Sequence, residues 1–168
     1  IRDSLDAASA EAPDLLLGLP AIGRITVGER ESRRVETDGP GALTTVTVGE
    51  RSYLRGAAPH ATWYLPVSAN GDVRPVETDV LRAPTRSDET TTLPAVVVAD
   101  VAMQPDRRRI LPGVDPRPLA DGYGALVADL PPAERPLAVP RPGVPASVVD
   151  GALREALAAE LAETAWVP

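Results

Sequence analysis

The spacing of apolar positions divides the chain into a helical entry, a β-rich middle and a helical end. Within residues 1–22, Leu5, Ala8, Leu15, Leu16 and Leu19 supply the apolar positions, and Ala12-Pro13 interrupts them. Asp14 is placed to cap a short second helix over Leu15–Leu19, which Gly18 and Pro20 end. Residues 23–111 change to a β pattern. Ile25–Val27 and Arg33–Thr37 predict two short strands, and Asp38-Gly39-Pro40-Gly41 predicts a turn. Leu43–Val48 is β-branched and alternating, and Gly49-Glu50 turns it into a partner over Arg51–Arg55. Thr62–Val67 predicts another strand, Asn70-Gly71 a hairpin turn, and Val80–Arg82 a further short strand. Pro84–Thr90 reads as an exposed polar loop.

Leu93–Ile110 then reads as the centre of the chain. Ala95–Ala99 is the longest β-branched apolar run, and a short apolar run bounded by Pro and charge predicts a strand buried on both faces. It leads through Gln104-Pro105-Asp106 into Arg107, Arg108 and Arg109. In residues 114–168, Leu119, Tyr123, Leu126, Val127 and Leu130 form one helical stripe, predicting a helix from about Arg117 to Leu130 that Pro131-Pro132 stops. Leu137–Val139 is a candidate edge strand. Ser147 and Asp150 form a capping-box-like start, and Val149, Leu153, Leu157 and Leu161 recur every four residues, predicting a helix from Val148 to about Ala165 onto which Trp166 folds back.

Helix, then six or seven strands, then two helices predict a single α+β domain over 1–168. Its two layers are a mixed, mostly antiparallel sheet with the N-terminal helix and two C-terminal helices packed on it. Two echoes, Thr26–Arg30 against Thr47–Arg51 and Val35–Asp38 against Val76–Asp79, differ in offset and set no repeat period.

Composition removes several chemistries. With no Cys there is no disulfide, thiolate metal site or Cys nucleophile. All 17 basic residues are Arg, so no Schiff-base or phosphate-loop lysine exists; this usage also fits a GC-rich genome. Phe is absent and aromatics are 3%, against base-stacking platforms, and the net charge of −7 has the wrong sign for a general nucleic-acid binder. No apolar run approaches the roughly 18 residues that cross a bilayer. The start at Ile1, without Met or a signal-peptide apolar region, leads to the expectation of a fragment of a larger cytoplasmic protein.

Few residues are left to carry a site. His60 is the only histidine, so a two-histidine metal site is impossible, and no metal site is expected. Ser52, Ser68, Asp72 and Asp88 are formal partners for a triad, but nothing in the sequence fixes them near His60, and no Gly-x-Ser-x-Gly elbow is present. No phosphate-cradling glycine motif occurs. Asp88-Glu89 is the carboxylate pair most open to a ligand, although a solvated polar loop is the favoured explanation, since exposed loops are normally polar. Arg107 and Arg108, with Arg86 in the preceding loop, are the candidate contacts to a ligand or phosphate. A guanidinium is permanently charged and matches phosphate bidentately. The alternative is a solvated turn whose arginines pair with nearby carboxylates.

Val80-Leu81-Arg82-Ala83-Pro84-Thr85, Asp88-Glu89, Leu93-Pro94-Ala95 and Asp106-Arg107-Arg108 resemble the segment that follows the ATPase domain in actinobacterial sacsin-like proteins, relatives of heat-shock protein 90. Leu15–Ile22 and Leu153–Leu157 with Trp166-Val167-Pro168 fit the same pattern. The resemblance implies a middle domain of a chaperone. Its ATP and Mg would sit in an adjacent Bergerat-type domain of the same chain, whose motifs do not occur here, so no cofactor and no catalytic residue is expected in this fragment. It implies that Arg107 or Arg108 meets the γ-phosphate across the domain interface, with Arg109 less consistent with the pattern. Some relatives use Lys for that contact, and this chain has only Arg. Protein clients are implied as partners; nucleic acid and membrane are not. Two other readings stand beside it: a free-standing protein- or peptide-binding module, and a small enzyme acting on an anionic ligand. The enzyme reading requires a pocket that gathers His60, Asp88 and Arg86.

Overall fold

The structure, a computed structural model, describes residues 2–166. The ends of the expected 1–168 domain, Ile1, Val167 and Pro168, lie outside the described residues. The first helix, α1, runs unbroken over Arg2–Gly18 with Pro13 inside it. The expected break at Ala12-Pro13 does not occur. A proline removes one intrahelical N–H bond, and packing on the sheet compensates: Ala12, Leu16 and Leu17 are buried. The orphan carbonyls at the end of α1 are also met by side chains. Arg34 donates to the Leu16 carbonyl at 2.8 Å and the Tyr64 hydroxyl donates to the Leu17 carbonyl at 3.1 Å.

Eight strands follow, against the six or seven expected. They are β1 (Arg24–Val27), β2 (Arg30–Asp38), β3 (Thr44–Val48), β4 (Arg51–Ala57), β5 (Ala61–Val67), β6 (Asp79–Arg82), β7 (Arg86–Thr91) and β8 (Val96–Ala99). They form one sheet in the order β1-β2-β3-β4-β5-β8-β6-β7. All neighbours are antiparallel except β6 and β8, which meet in parallel at Arg82↔Val98. The class is therefore α+β with a mixed, mostly antiparallel sheet.

The additional strand is β7, which the sequence presents as a polar loop. Its core contribution is small and polar: only Ser87 and Thr91 are buried. A strand without alternating large apolar residues carries no period-2 signal. Ser87 stays paired, its hydroxyl donating to the Leu81 carbonyl at 2.7 Å.

β8 sits inside the sheet, and successive residues face different cores. Val97 joins Trp63, Leu65, Leu81 and Leu126 in the larger cluster, while Val96 joins Leu16, Leu17, Val46 and Tyr64 in the smaller one. The strand is buried on both faces, as its apolar run predicts. The alternation in β4 and β5 agrees: Leu54, Trp63 and Leu65 face the first cluster, Tyr53 and Tyr64 the second. α1 therefore covers one face and the C-terminal helices the other. The helix layer expected on the sheet is present on both sides, giving three layers.

The stripe from Leu119 to Leu130 is buried throughout, but it is not one helix. A 3-10 turn, Arg117–Ala120, and α2 (Tyr123–Asp129) are separated at Asp121-Gly122. Gly122 has φ +84, a left-handed conformation that glycine takes without a Cβ penalty. Arg135–Ala138 is a 3-10 turn, so the edge strand expected at Leu137–Val139 is absent; Pro136 suits the first turn of a helix. The last helix, α3, spans Val148–Glu163, with Ser147 capping it by accepting from the Asp150 backbone N–H at 3.0 Å. Trp166 returns onto α3, its indole N–H donating to the Leu161 carbonyl at 2.8 Å.

Candidate functional site

The three arginines of Leu93–Ile110 sit on a tight reversal after β8. Met103 and Ile110 form an isolated antiparallel bridge, the Gln104 N–H donates to the Arg109 carbonyl, and the Arg107 N–H donates to the Gln104 carbonyl, both at 2.8 Å. Pro105 follows Gln104, where a β-turn favours proline. Arg107 closes the turn at φ +59 and is the one non-glycine residue with positive φ among the described residues. Glycine is favoured there because a Cβ is unfavourable in the left-handed region.

The reversal is pinned against β7. The Asp88 N–H donates to the Arg108 carbonyl at 2.7 Å, and the Ile110 N–H donates to Glu89 Oε1 at 3.2 Å. Arg108 Nε lies 2.8 Å from Asp88 Oδ2, both side chains being exposed. Asp88 and Glu89 thus hold the reversal to the sheet edge, and Arg108 is partnered within the chain.

Arg86 lies elsewhere. Its guanidinium is 3.4 Å from Asp14 Oδ2 and 3.3 Å from Asp79 Oδ1. It lines a recess of about 200 Å³ with Glu11, Asp14, Leu15 and Thr85. Behind it Arg82, only 3% exposed in its side chain, donates to the same two carboxylates. Asp14 is therefore a partner of two arginines, and the helix-capping role expected for it is not its role.

Arg107 has no carboxylate within ion-pair distance among the described residues. It lines a cavity of about 460 Å³ at one end of the sheet. The end of α1 (Leu17, Gly18), the loop entering β5 (Pro59, His60) and the ends of β6 and β8 (Pro84, Asp100) contribute to its walls. Gly18 is required there, since a Cβ would lie 2.1 Å from the Pro84 carbonyl oxygen. The cavity gathers His60, Asp100 and Arg107 over an apolar floor. It does not include Asp88, Arg86 or Arg108, so the pocket that the enzyme reading requires is not formed. His60 and Asp100 come together because β5 and β8 pair at Ala61↔Ala99, and the Asp100 N–H donates to the His60 carbonyl at 2.9 Å. That pairing has no sequence signal, since Ala61 and Ala99 are 38 positions apart in the chain. Arg109 is exposed, its carbonyl engaged by Gln104.

Among the described residues no group of three or more His, Asp or Glu side chains is arranged to hold a metal ion, and no helix is long and apolar enough to cross a membrane. Comparison of the chain with protein-family models, curated proteins and solved structures finds no match.

Proposed function

We propose that this chain is a non-catalytic middle domain of a heat-shock protein 90-like, sacsin-like chaperone, coupling an ATPase domain of the same chain to protein clients. On this reading ATP and Mg bind in the neighbouring domain, and the protein works in the cytoplasm. The observation that carries it is the state of Arg107. Of the three candidate arginines it alone has no carboxylate partner among the described residues, and it is presented at the tip of a turn in an unfavourable backbone conformation. Strained residues that persist in a well-packed surrounding point towards function. A fixed positive charge held ready for an anion is what contact with a γ-phosphate requires. Arg108 and Arg86 have carboxylate partners and serve in this reading as structural ion pairs.

The test uses the intact gene product containing this chain. Arg107→Ala is expected to lower ATP turnover by about 10³-fold, the low end of what an arginine at a transferring phosphate supplies. Arg108→Ala is expected to change it little. Unchanged turnover in Arg107→Ala, or a gene product without a Bergerat-type ATPase domain, overturns the reading.

A further inference from the structure

We propose that the cavity at the ends of β5, β6 and β8 binds a small carboxylate with an apolar body, independently of any neighbouring domain. Its size, about 460 Å³, falls in the range of roughly 300–1,000 Å³ typical of small-molecule sites. Ala61, Ala99 and Val98 line it on the strand side, and Leu17 on the helix side. These small aliphatic groups leave room for an apolar ligand body, whose removal from water supplies affinity without hydrogen bonds.

The polar groups are few and lie together. Arg107, the unpaired cation, offers a planar fork that matches a carboxylate bidentately. His60 adds a ring N–H donor on the same cavity. Asp100 is the only acidic residue in the lining, and it disfavours a ligand carrying several negative charges. A single anionic end matched to Arg107 and His60, with an apolar remainder, is the ligand that fits this lining; Asp100 offers it no hydrogen bond and sets the limit of one negative charge.

The proposal shares Arg107 with the phosphate contact but does not depend on ATP coupling. It is tested on the 168-residue chain by titrating 3-phenylpropionate and following backbone amide resonances. Saturable shifts are expected at Ala61, Thr62, Ala99, Asp100 and Arg107. Acetate, the anion without the body, and 3-phenylpropanol, the body without the anion, are each expected to bind at least about tenfold more weakly. Arg107→Gln is expected to weaken 3-phenylpropionate about tenfold, and Arg109→Gln, on the neighbouring exposed arginine, to leave it unchanged. The spectra themselves report whether each variant is folded. The absence of saturable shifts, equal binding of 3-phenylpropanol, or equal weakening by Arg109→Gln overturns the proposal. Turnover of the intact gene product is a separate measurement, so coupling and carboxylate binding can each fail alone.

Discussion

Arg82, on β6, donates to Asp14 of α1 at 3.0 Å across 68 residues of sequence. Its guanidinium also donates to Asp79 at 2.9 Å, while its Nε is buried without a partner. The pair fixes α1 against the β6–β7 hairpin and leaves a buried charge dependent on two carboxylates. Removing one partner of a buried ion pair typically costs about 3–5 kcal/mol, because the remaining charge stays desolvated. Asp79 remains in Asp14→Asn, so a loss of about 2–3 kcal/mol is expected in urea unfolding. Arg82→Met leaves Asp14 and Asp79, both largely buried, facing Arg86 alone, and is expected to cost at least as much as Asp14→Asn. A smaller loss for Arg82→Met would mean that the two carboxylates are relieved by solvent once the arginine is gone. Burial acts to lower the Arg82 pKa, but Asp79 and Asp14 outweigh it and the net shift is upward. A raised folded pKa contributes stability below the unfolded value, which already lies far above neutrality, so this contribution stays constant through neutral pH from the arginine side.

Asp150 joins the start of α3 to the segment after β7. Its carboxylate accepts from the Thr92 N–H at 2.8 Å, the Thr92 hydroxyl at 2.7 Å and the Ala146 N–H at 2.9 Å, and the residue is fully buried. Asp150→Ala strands these donors, and about 3 kcal/mol of destabilisation is expected, since each unsatisfied buried group costs about 1–3 kcal/mol. Ser147→Ala removes the cap and the hydrogen bond that the Ser147 hydroxyl donates to the Thr90 carbonyl at 3.3 Å, and is expected to cost about 1–2 kcal/mol. Chemical denaturation of the two variants distinguishes the roles; equal losses would mean that Asp150 acts only through the helix end.

These two carboxylates show where the sequence is informative. α3 is legible because its four-residue repeat of Leu153, Leu157 and Leu161 is also its buried face. β8 is legible because an uninterrupted Val run has no other stable place in a soluble fold. The Ser147–Asp150 spacing likewise marks the start of α3, but the reach of Asp150 to Thr92 is set by tertiary packing. Asp14 reads as a cap because local spacing cannot show arginines 68 and 72 residues away. The candidate site follows the same rule. The arginine cluster is visible as a run, while the partners that distinguish Arg108 from Arg107 come from β7, whose polar sequence hides the strand.

Tyr123 is completely buried, packs edge-on against Trp63 with ring centroids 4.8 Å apart, and donates its hydroxyl to the Ala138 carbonyl at 2.7 Å. Burial pushes its phenol far above the ordinary tyrosine value. The unfolded chain ionises near pH 10 while the folded one keeps its proton. A raised folded pKa gives stability that is whole below the unfolded value and lost as pH climbs towards the folded one. Stability is therefore expected to fall above about pH 10, by up to about 1.4 kcal/mol per pH unit from this group. Tyr123→Phe is expected to flatten that slope while costing about 1 kcal/mol at neutral pH through the lost hydrogen bond. Tyr53, raised mainly by burial, keeps a residual slope. Urea unfolding across alkaline pH checks both; an unchanged slope in Tyr123→Phe would assign the alkaline limb to other groups.

Arg107 carries a backbone cost that can be measured apart from its charge. At φ +59 its Cβ lies in the region where a side chain is disfavoured by about 1–2 kcal/mol. Glycine has no such penalty, but it adds conformational freedom to the unfolded chain, which returns part of the gain. Arg107→Gly is therefore expected to stabilise the chain by up to about 1 kcal/mol, and Arg107→Ala to bring no such gain. Among the described residues the side chain makes no ion pair that the change would remove. The same Arg107→Gly variant is expected to lose 3-phenylpropionate binding and, in the intact gene product, ATP turnover. A gain in stability with a loss of binding means that the arginine is kept at the turn for its charge. Destabilisation by Arg107→Gly would instead show that the side chain holds the reversal together, and it would remove the backbone argument for a functional arginine at this position.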